Sequence, residues 1–315
     1  MNRALLIVNM GGPENVRDVP DYLRSIFLDP RIINLPSILR IPLAHLITGL
    51  RSKKVIERYK LIGGASPLKW RTSALALSIL SILRDENHKY ETVSFAFRYT
   101  APTIREKMEA LKSVGIDSIT LFPLFPHYTG SMTGSIQAEA ETAASDLDLE
   151  LRTIPRWGMH PSVIQIQQEY LKAAIAETGN SARVIFVAHG IPMSQVNRGE
   201  DYPRQVEATV AAISEVLNKD IYRVLTYQSK VGPVKWTTPY LEDQLDRICQ
   251  SKDPIVIMPL SFVSDCLETL FDLDIVAAAK IRNAGIEKFV RVPVFNDDTE
   301  FAEALASVAC EWTID

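Results

Sequence analysis

The apolar positions of this chain gather into short unbroken runs instead of alternating with polar ones. Residues 4–8, 92–97, 118–122, 184–188, 223–226, 255–258 and 289–292 are blocks of strand length. Between them lie stretches with helical spacing of apolar residues, at 103–114, 135–144, 162–177, 206–217, 239–249, 266–283 and 299–310. A strand that shows no polar alternation is covered on both faces, and a helix after each strand supplies the cover. The pattern therefore predicts an α/β fold with parallel sheets flanked by helices.

The order of the blocks repeats. RALLIVNMGGP pairs with ARVIFVAHGIP, ETVSFAFRYTAP with YRVLTYQSKVGP, DSITLFPLFPHY with PIVIMPLSFVSD, and LELRTIPRWGMHP with FVRVPVFNDD. Four strands in one order, twice over, predict two similar Rossmann-like domains, each with a parallel four-stranded sheet. The expected boundaries are 1–160 and 161–315, with the 162–177 helix as the crossover. The proline after each of the first two strands, and the one inside the third, set the register of the comparison. Ligands bind beyond the carboxyl ends of parallel strands, so the expected site is a cleft between the two domains, lined by the loops after the strands.

One apolar stretch breaks this rhythm. IINLPSILRIPLAHLITGL (32–50) is interrupted by Pro36, Arg40, Pro42 and His45, and Arg51, Lys53, Lys54, Arg58 and Lys60 follow it. Such a segment cannot be a clean membrane span. An apolar surface edged by cations suits a monotopic membrane contact or a lid over an apolar acidic ligand, the alternative being a buried helix capped by solvated charges.

Composition narrows the classes. At 315 residues, with 47% hydrophobic and 23% charged residues, the chain is globular and long enough for two domains. A net charge of −4 offers no positive field to hold a nucleic-acid backbone. Three widely spaced cysteines, Cys249, Cys266 and Cys310, give neither a disulfide framework nor the four thiolates of an iron–sulfur cluster. The opening MNRALLIVNMGGP reads as the first core strand, not as a signal peptide, and with the cysteines it points to a cytoplasmic protein.

The chemistry-bearing residues collect after the strands. His189 directly follows the 184–188 block. PLSFVSDCLETLFDLDIV (259–276) leaves a strand, turns, and enters a helix with Asp265, Glu268 and Asp272 three and four residues apart. That spacing predicts one acidic face. Acids at a helix start are favoured by the macrodipole anyway, so it is the histidine at a neighbouring strand end that gives the stripe a partner. Imidazole with carboxylates suits a divalent first-row metal, and the same groups accept protons. Phosphate-loop, dinucleotide, serine-hydrolase and zincin motifs are all missing. The residues by themselves leave a metal-handling enzyme and a cytoplasmic binding module.

LLIVNMGGP, YKLIGGASPL, AFRYTAPTI, FPHYTGSMTGS, VAHGIPMS, NRGEDYPRQV, YQSKVGPVKW and PLSFVSDCLETLFDLD, in this order, closely resemble the ferrochelatase family. The likeness runs from Leu5 to about Leu305. It implies an enzyme that inserts ferrous iron into protoporphyrin IX, releasing two protons, at the end of haem synthesis. Iron is then a substrate, and no cofactor or iron–sulfur cluster is required; Gly130 stands where some relatives place a cluster cysteine. The resemblance makes His189 and Glu268 the pair that binds metal and accepts the pyrrole protons, with Asp272 on the proton or metal route. It places Met10, Arg98, Tyr99, Tyr128, Ser131, Trp236 and Phe262 around the porphyrin. Arg51, Lys54, Tyr59 and Ser66 fall near the propionates, and Phe27, Leu28 and Leu35 in an apolar lip that touches the membrane. The expected partners are the porphyrin, ferrous iron and, through 32–50, a membrane surface, with the chain acting as a monomer.

Three positions depart from the common family pattern. Cys266 replaces a histidine, Asp272 a glutamate, and Val276 a further glutamate, so the acidic line is short. The alternatives are a chelatase for coproporphyrin III or for cobalt or nickel, and a non-catalytic tetrapyrrole or haem carrier. Met10, where coproporphyrin-type relatives commonly have tyrosine, favours protoporphyrin.

Overall fold

Parallel pairing joins each of the apolar blocks to a neighbour in the computed structural model, which describes residues 2–85 and 89–312. Two compact units result, Met1–Trp157 with Asn296–Asp315, and Gly158–Phe295.

The first unit runs β1 (Arg3–Asn9), α1 (Val19–Leu28), α2 (Ser37–Leu61), α3 (Leu68–Asp85), β2 (Thr92–Phe97), α4 (Ile104–Ser113), β3 (Ser118–Pro123), α5 (Thr133–Leu147) and β4 (Glu150–Thr153). The second runs α6 (Pro161–Thr178), β5 (Arg183–His189), α7 (Met193–Val196), α8 (Tyr202–Ser214), β6 (Arg223–Gln228), α9 (Leu241–Ile248), β7 (Ile255–Pro259), a π-helix (Glu268–Ala277), α10 (Ala278–Asn283) and β8 (Phe289–Arg291). The last helix, α11 (Thr299–Glu311), belongs to the first unit.

Both sheets are four-stranded and parallel, in the orders β2-β1-β3-β4 and β6-β5-β7-β8. The repeat seen in the sequence is thus a repeat of topology, down to register. Val8 sits opposite Pro123 and Val187 opposite Pro259. Just beyond, Leu124 N–H donates to the Val8 carbonyl and Leu260 N–H to that of Val187, each at 2.8 Å.

Two expectations are corrected. The proline equivalent to Pro102 is Pro239, not Pro233. The Phe97 N–H donates to Pro102 O and the Tyr227 N–H to Pro239 O, both at 2.8 Å, and α4 and α9 start two residues after these prolines. The second domain simply has a longer loop after β6. The boundary of 161–315 also fails at its far end, because the chain returns at Asn296 to the first unit. Phe301, Ala302, Leu305 and Ala309 of α11 are buried, the Trp157 and Phe301 rings lie 5.9 Å apart, and Tyr90 Oη–H donates to Ala309 O. An amphipathic helix goes where its apolar stripe finds cover.

The apolar runs lack alternation for the predicted reason. Along β5, Val184, Phe186 and Ala188 join a core with residues of α6 and α8. Ile185 and Val187 point the other way, into a core with Leu241 and Leu245 of α9, Leu273 and Ala277 of the π-helix, and Ile281 of α10. Each of these β5 residues is fully buried, contributing roughly 1.5–3 kcal/mol apiece for the larger side chains.

Candidate functional site

His189 is the last residue of β5, and strand parity puts its side chain on the face of Ile185 and Val187, which the π-helix covers. Its ring is fixed. Nδ1 lies 2.7 Å from Gly190 O, and because a carbonyl only accepts, Nδ1 carries the proton. The neutral ring therefore keeps its lone pair on Nε2. Gly190 is held against β6, with its N–H donating to Gln228 O at 2.9 Å. A Cβ there would stand 3.0 Å from that same carbonyl oxygen, so the close approach calls for glycine. The Phe262 ring lies 6.2 Å from the imidazole, between centroids.

Glu268 opens the π-helix, after the turn that leaves β7. The predicted helix over 266–283 is therefore present but is not α throughout. Its i→i+5 bonding widens the turn, a geometry that recurs at functional sites, and it changes the predicted stripe. Glu268, Asp272 and Val276 remain four apart in one helix. Asp265 is removed from the stripe, since it lies before the helix, 3.3 Å from Arg291 Nη2 and accepting from Thr269 Oγ1 at 3.0 Å. Arg291 on β8 also forks onto Asp274, at 2.8 and 2.7 Å. These pairs tie the π-helix and the turn before it to the edge strand of the sheet. Asp272 is half-buried within the π-helix, and Val276 is exposed.

Cys266 is a buried thiol. Its N–H donates to Thr269 Oγ1 at 3.0 Å, and burial, reinforced by Glu268, raises its pKa well above the ordinary value. It therefore packs as a small neutral residue at neutral pH. Trp236 is half-buried in the long loop after β6, with Nε1–H donating to Val231 O at 2.9 Å. Among the described residues, no group of three or more His, Cys, Asp or Glu side chains is placed to hold a metal ion.

In the first unit, the residues after β1 and β2 are tied together. Asn9 Oδ1 accepts from Met10 N–H at 2.8 Å, and Tyr99 N–H donates to Met10 O at 3.0 Å. Arg98 and Tyr99 converge on a residue that the sequence reading passes over. Asp29, buried at the end of α1, accepts from Arg98 Nη2 at 3.0 Å, Tyr99 Oη at 2.9 Å, Arg31 N–H at 2.8 Å and, by a short bond, Ser135 Oγ. Ser135 Oγ in turn accepts from Arg98 Nε at 2.8 Å. Burial, then the charge of Asp29, raises the Tyr99 pKa, so the phenol stays protonated. The signal was a lone acid in the apolar run IFLDPRII, where only a partnered carboxylate survives burial.

The other lining candidates are scattered over the unit. Phe27 is buried with the Arg51 guanidinium 5.8 Å from its ring centre; Leu28 is half-buried, and Leu35 is exposed. Burial, with Arg58 nearby, lowers the Arg51 pKa. Lys54 is exposed and Tyr59 buried. Ser66 sits against Gly12, where a Cβ would overlap its side chain, and its N–H donates to Pro13 O at 2.8 Å. Tyr128 and Ser131 are half-buried in the loop before α5, and a Cβ on Gly134 would stand 3.0 Å from Tyr128 Oη.

The neighbour His127 is buried, and desolvation pushes its pKa from 6.5 down to about 4. The unfolded chain thus binds this proton between pH 6.5 and about 4 while the folded one does not. Stability is expected to fall by about 3 kcal/mol as pH drops through that window. Urea unfolding across the range will show the slope, and His127→Gln should flatten it.

A protein-family model for ferrochelatase matches residues 2–312. The ferrochelatase of Synechococcus sp. (strain RCC307) is 36% identical over 314 residues, covering 97% of this chain and 81% of that protein. The ferrochelatase of Synechocystis sp. (strain ATCC 27184 / PCC 6803 / Kazusa) is 35% identical, covering 98% and 82%. Two solved structures share the fold at 13% identity, SirB from Bacillus subtilis with Fe3+ (TM-score 0.59, covering 100% of this chain and 96% of that one) and CbiX (TM-score 0.53, covering 100% of both). With duplicated parallel sheets, a histidine ending β5 and a family match over nearly its whole length, this chain belongs to the ferrochelatase family, the enzymes that insert metal into porphyrin for haem synthesis.

Proposed function

We propose that His189 and Glu268 are the reacting pair of this ferrochelatase, with ferrous iron and protoporphyrin IX as its substrates. The observation that carries the reading is the Nδ1 to Gly190 O bond, which leaves Nε2 as the one basic ring nitrogen. Metallation removes two N–H protons from the macrocycle and replaces them with one divalent ion. A base of fixed orientation is what the first step needs. Nε2 takes a pyrrole proton or meets the incoming metal, and Glu268, beginning the helix that covers the same sheet face, takes the second proton. Asp272, one step along the π-helix, passes protons or metal onward. Met10, Phe262, Trp236, Arg98, Tyr99, Tyr128 and Ser131 line the ring, and Arg51, Lys54, Tyr59 and Ser66 meet the propionates. Holding the ring out of plane would tilt its nitrogen lone pairs toward the metal.

No cofactor is needed in this scheme. Cys249 lies just after α9, Cys266 just before the π-helix and Cys310 in α11, three thiols where an iron–sulfur cluster takes four. Anaerobic turnover with Fe2+ and protoporphyrin, run beside coproporphyrin III and beside Co2+ and Ni2+, tests the reading. Binding without turnover of any pair would overturn it.

We also propose a peripheral membrane contact through 32–50. The first half of α2 continues through Pro42 and leaves Ile38 79% and Leu50 74% exposed, with Leu39, Ile41 and Leu46 also outward and Arg51, Lys53 and Lys54 following. No helix among the described residues is long and apolar enough to cross a membrane. Apolar side chains edged by cations suit the surface of an anionic bilayer. The chain should sediment with anionic vesicles, and Ile38→Ser with Leu50→Ser should release it; equal binding by the variant would exclude this face.

A further inference from the structure

His189 is held by more than its own strand. Its N–H donates to Ser261 Oγ at 3.2 Å, and its carbonyl accepts from Tyr202 Oη at 2.8 Å. The two hydroxyls touch at 2.7 Å. Tyr202 has a single hydroxyl hydrogen, and it is committed to the His189 carbonyl, so Ser261 must be the donor in the hydroxyl pair. The three bonds then close a ring, from His189 N–H to Ser261 Oγ, from Ser261 Oγ–H to Tyr202 Oη, and from Tyr202 Oη–H back to His189 O. Each hydroxyl donates once and accepts once, and such a chain of bonds strengthens its members.

The members come from three elements. His189 ends β5, Tyr202 is the first residue of α8, and Ser261 lies in the turn after β7. Gly190 adds a fourth connection, to β6. The sheet and its covering helix thus clamp the two peptide groups on either side of His189, at the point where a side chain leaves for chemistry. Tyr202 is buried, its ring packed in the core that α6 and α8 form against β5, and Ser261 is half-buried.

We propose that Tyr202 and Ser261 are positioning residues for His189. Their ring fixes the peptide groups on either side of His189, which keeps the Gly190 carbonyl under Nδ1 and so presents Nε2 to the substrate. The proposal rests on the assignment of His189 to the reacting centre, and its test separates the two.

Tyr202→Phe and Ser261→Ala each open the ring with little change of shape. Steady-state metallation by either variant is expected to lose about three- to tenfold in kcat, with the porphyrin KM within about twofold. The double variant should lose no more than the worse single, because one break already opens the ring. Ser261→Thr, which keeps a hydroxyl, should recover most of the rate. Proton–nitrogen correlation NMR of the imidazoles gives a readout independent of turnover. The intact protein should show His189 protonated on Nδ1, and the opened-ring variants a mixture of tautomers.

An Nε2-protonated His189 in the intact protein would overturn the proposal. So would additive losses in the double variant, failure of the threonine to rescue, or wild-type kcat in both single variants. A role in stability alone would lower the melting temperature and leave kcat and the tautomer unchanged, which also counts against it. If His189→Ala turns over normally, the assignment of His189 fails; if His189→Ala is inactive while Tyr202→Phe and Ser261→Ala are fully active, only the ring fails.

Discussion

His189→Ala is expected to lower kcat by about 100- to 10,000-fold, the range that a positioned acid–base group contributes. The reaction must strip two protons from the porphyrin, and alanine offers no lone pair to receive one. The substitution should cost little stability, because the imidazole is only half-buried and its one ring bond is to a neighbouring carbonyl. Porphyrin KM should change far less than kcat, since a group that acts on the departing protons is used mainly in the transition state. Stopped assays under anaerobic conditions, with the melting temperature recorded beside them, check both halves. Near-normal kcat in a folded His189→Ala protein would remove His189 from the chemistry and take the proposed pair with it.

Asp29→Ala is expected to cost about 3–5 kcal/mol of folding stability. The carboxylate side chain is 1% exposed and takes bonds from a guanidinium, a phenol, a serine hydroxyl and a backbone N–H. Alanine leaves all four donors without their acceptor, one of them charged, and a buried donor left unpaired loses its hydration with no return. Asp29→Asn keeps the shape and one oxygen, so it should fall between alanine and the native residue. Denaturant unfolding of the three proteins gives the order. The same substitutions are expected to raise the porphyrin KM, because Arg98 and Tyr99 are the proposed lining residues that lose their support. A full-strength Asp29→Ala protein would mean that the cluster is satisfied by other groups.

Much of the fold could be read from the chain because each strand reports its own burial. A run such as IVIM, apolar on consecutive positions, is explained in an α/β unit by cover on both faces, and the same reasoning located strand ends and therefore placed His189 and Glu268 beside them. The failures were of another kind. Pairing Pro102 with Pro233 in place of Pro239 followed from assuming equal loop lengths, and loop length is not constrained by the core. Placing α11 in the second domain followed from sequence order, whereas an apolar stripe is buried wherever a partner surface exists. Asp265 was counted into an acidic stripe on α-helical spacing, but it lies before the helix and pairs with Arg291 of β8, which lies downstream.

The amino-acid sequence by itself determined the duplicated parallel sheets and the family, and it put forward His189 and Glu268 as the groups proposed for chemistry, because these depend on residue type, order and local period. The tertiary structure alone decided how those groups are held. Which imidazole nitrogen is basic depends on a carbonyl made available by the glycine's close approach to β6, and on a ring closed by residues 13 and 72 positions away. The support of Arg98 and Tyr99 by Asp29 spans 69 and 70 positions. Such bonds are made between elements that meet only after both have formed, so no local pattern in the chain encodes them.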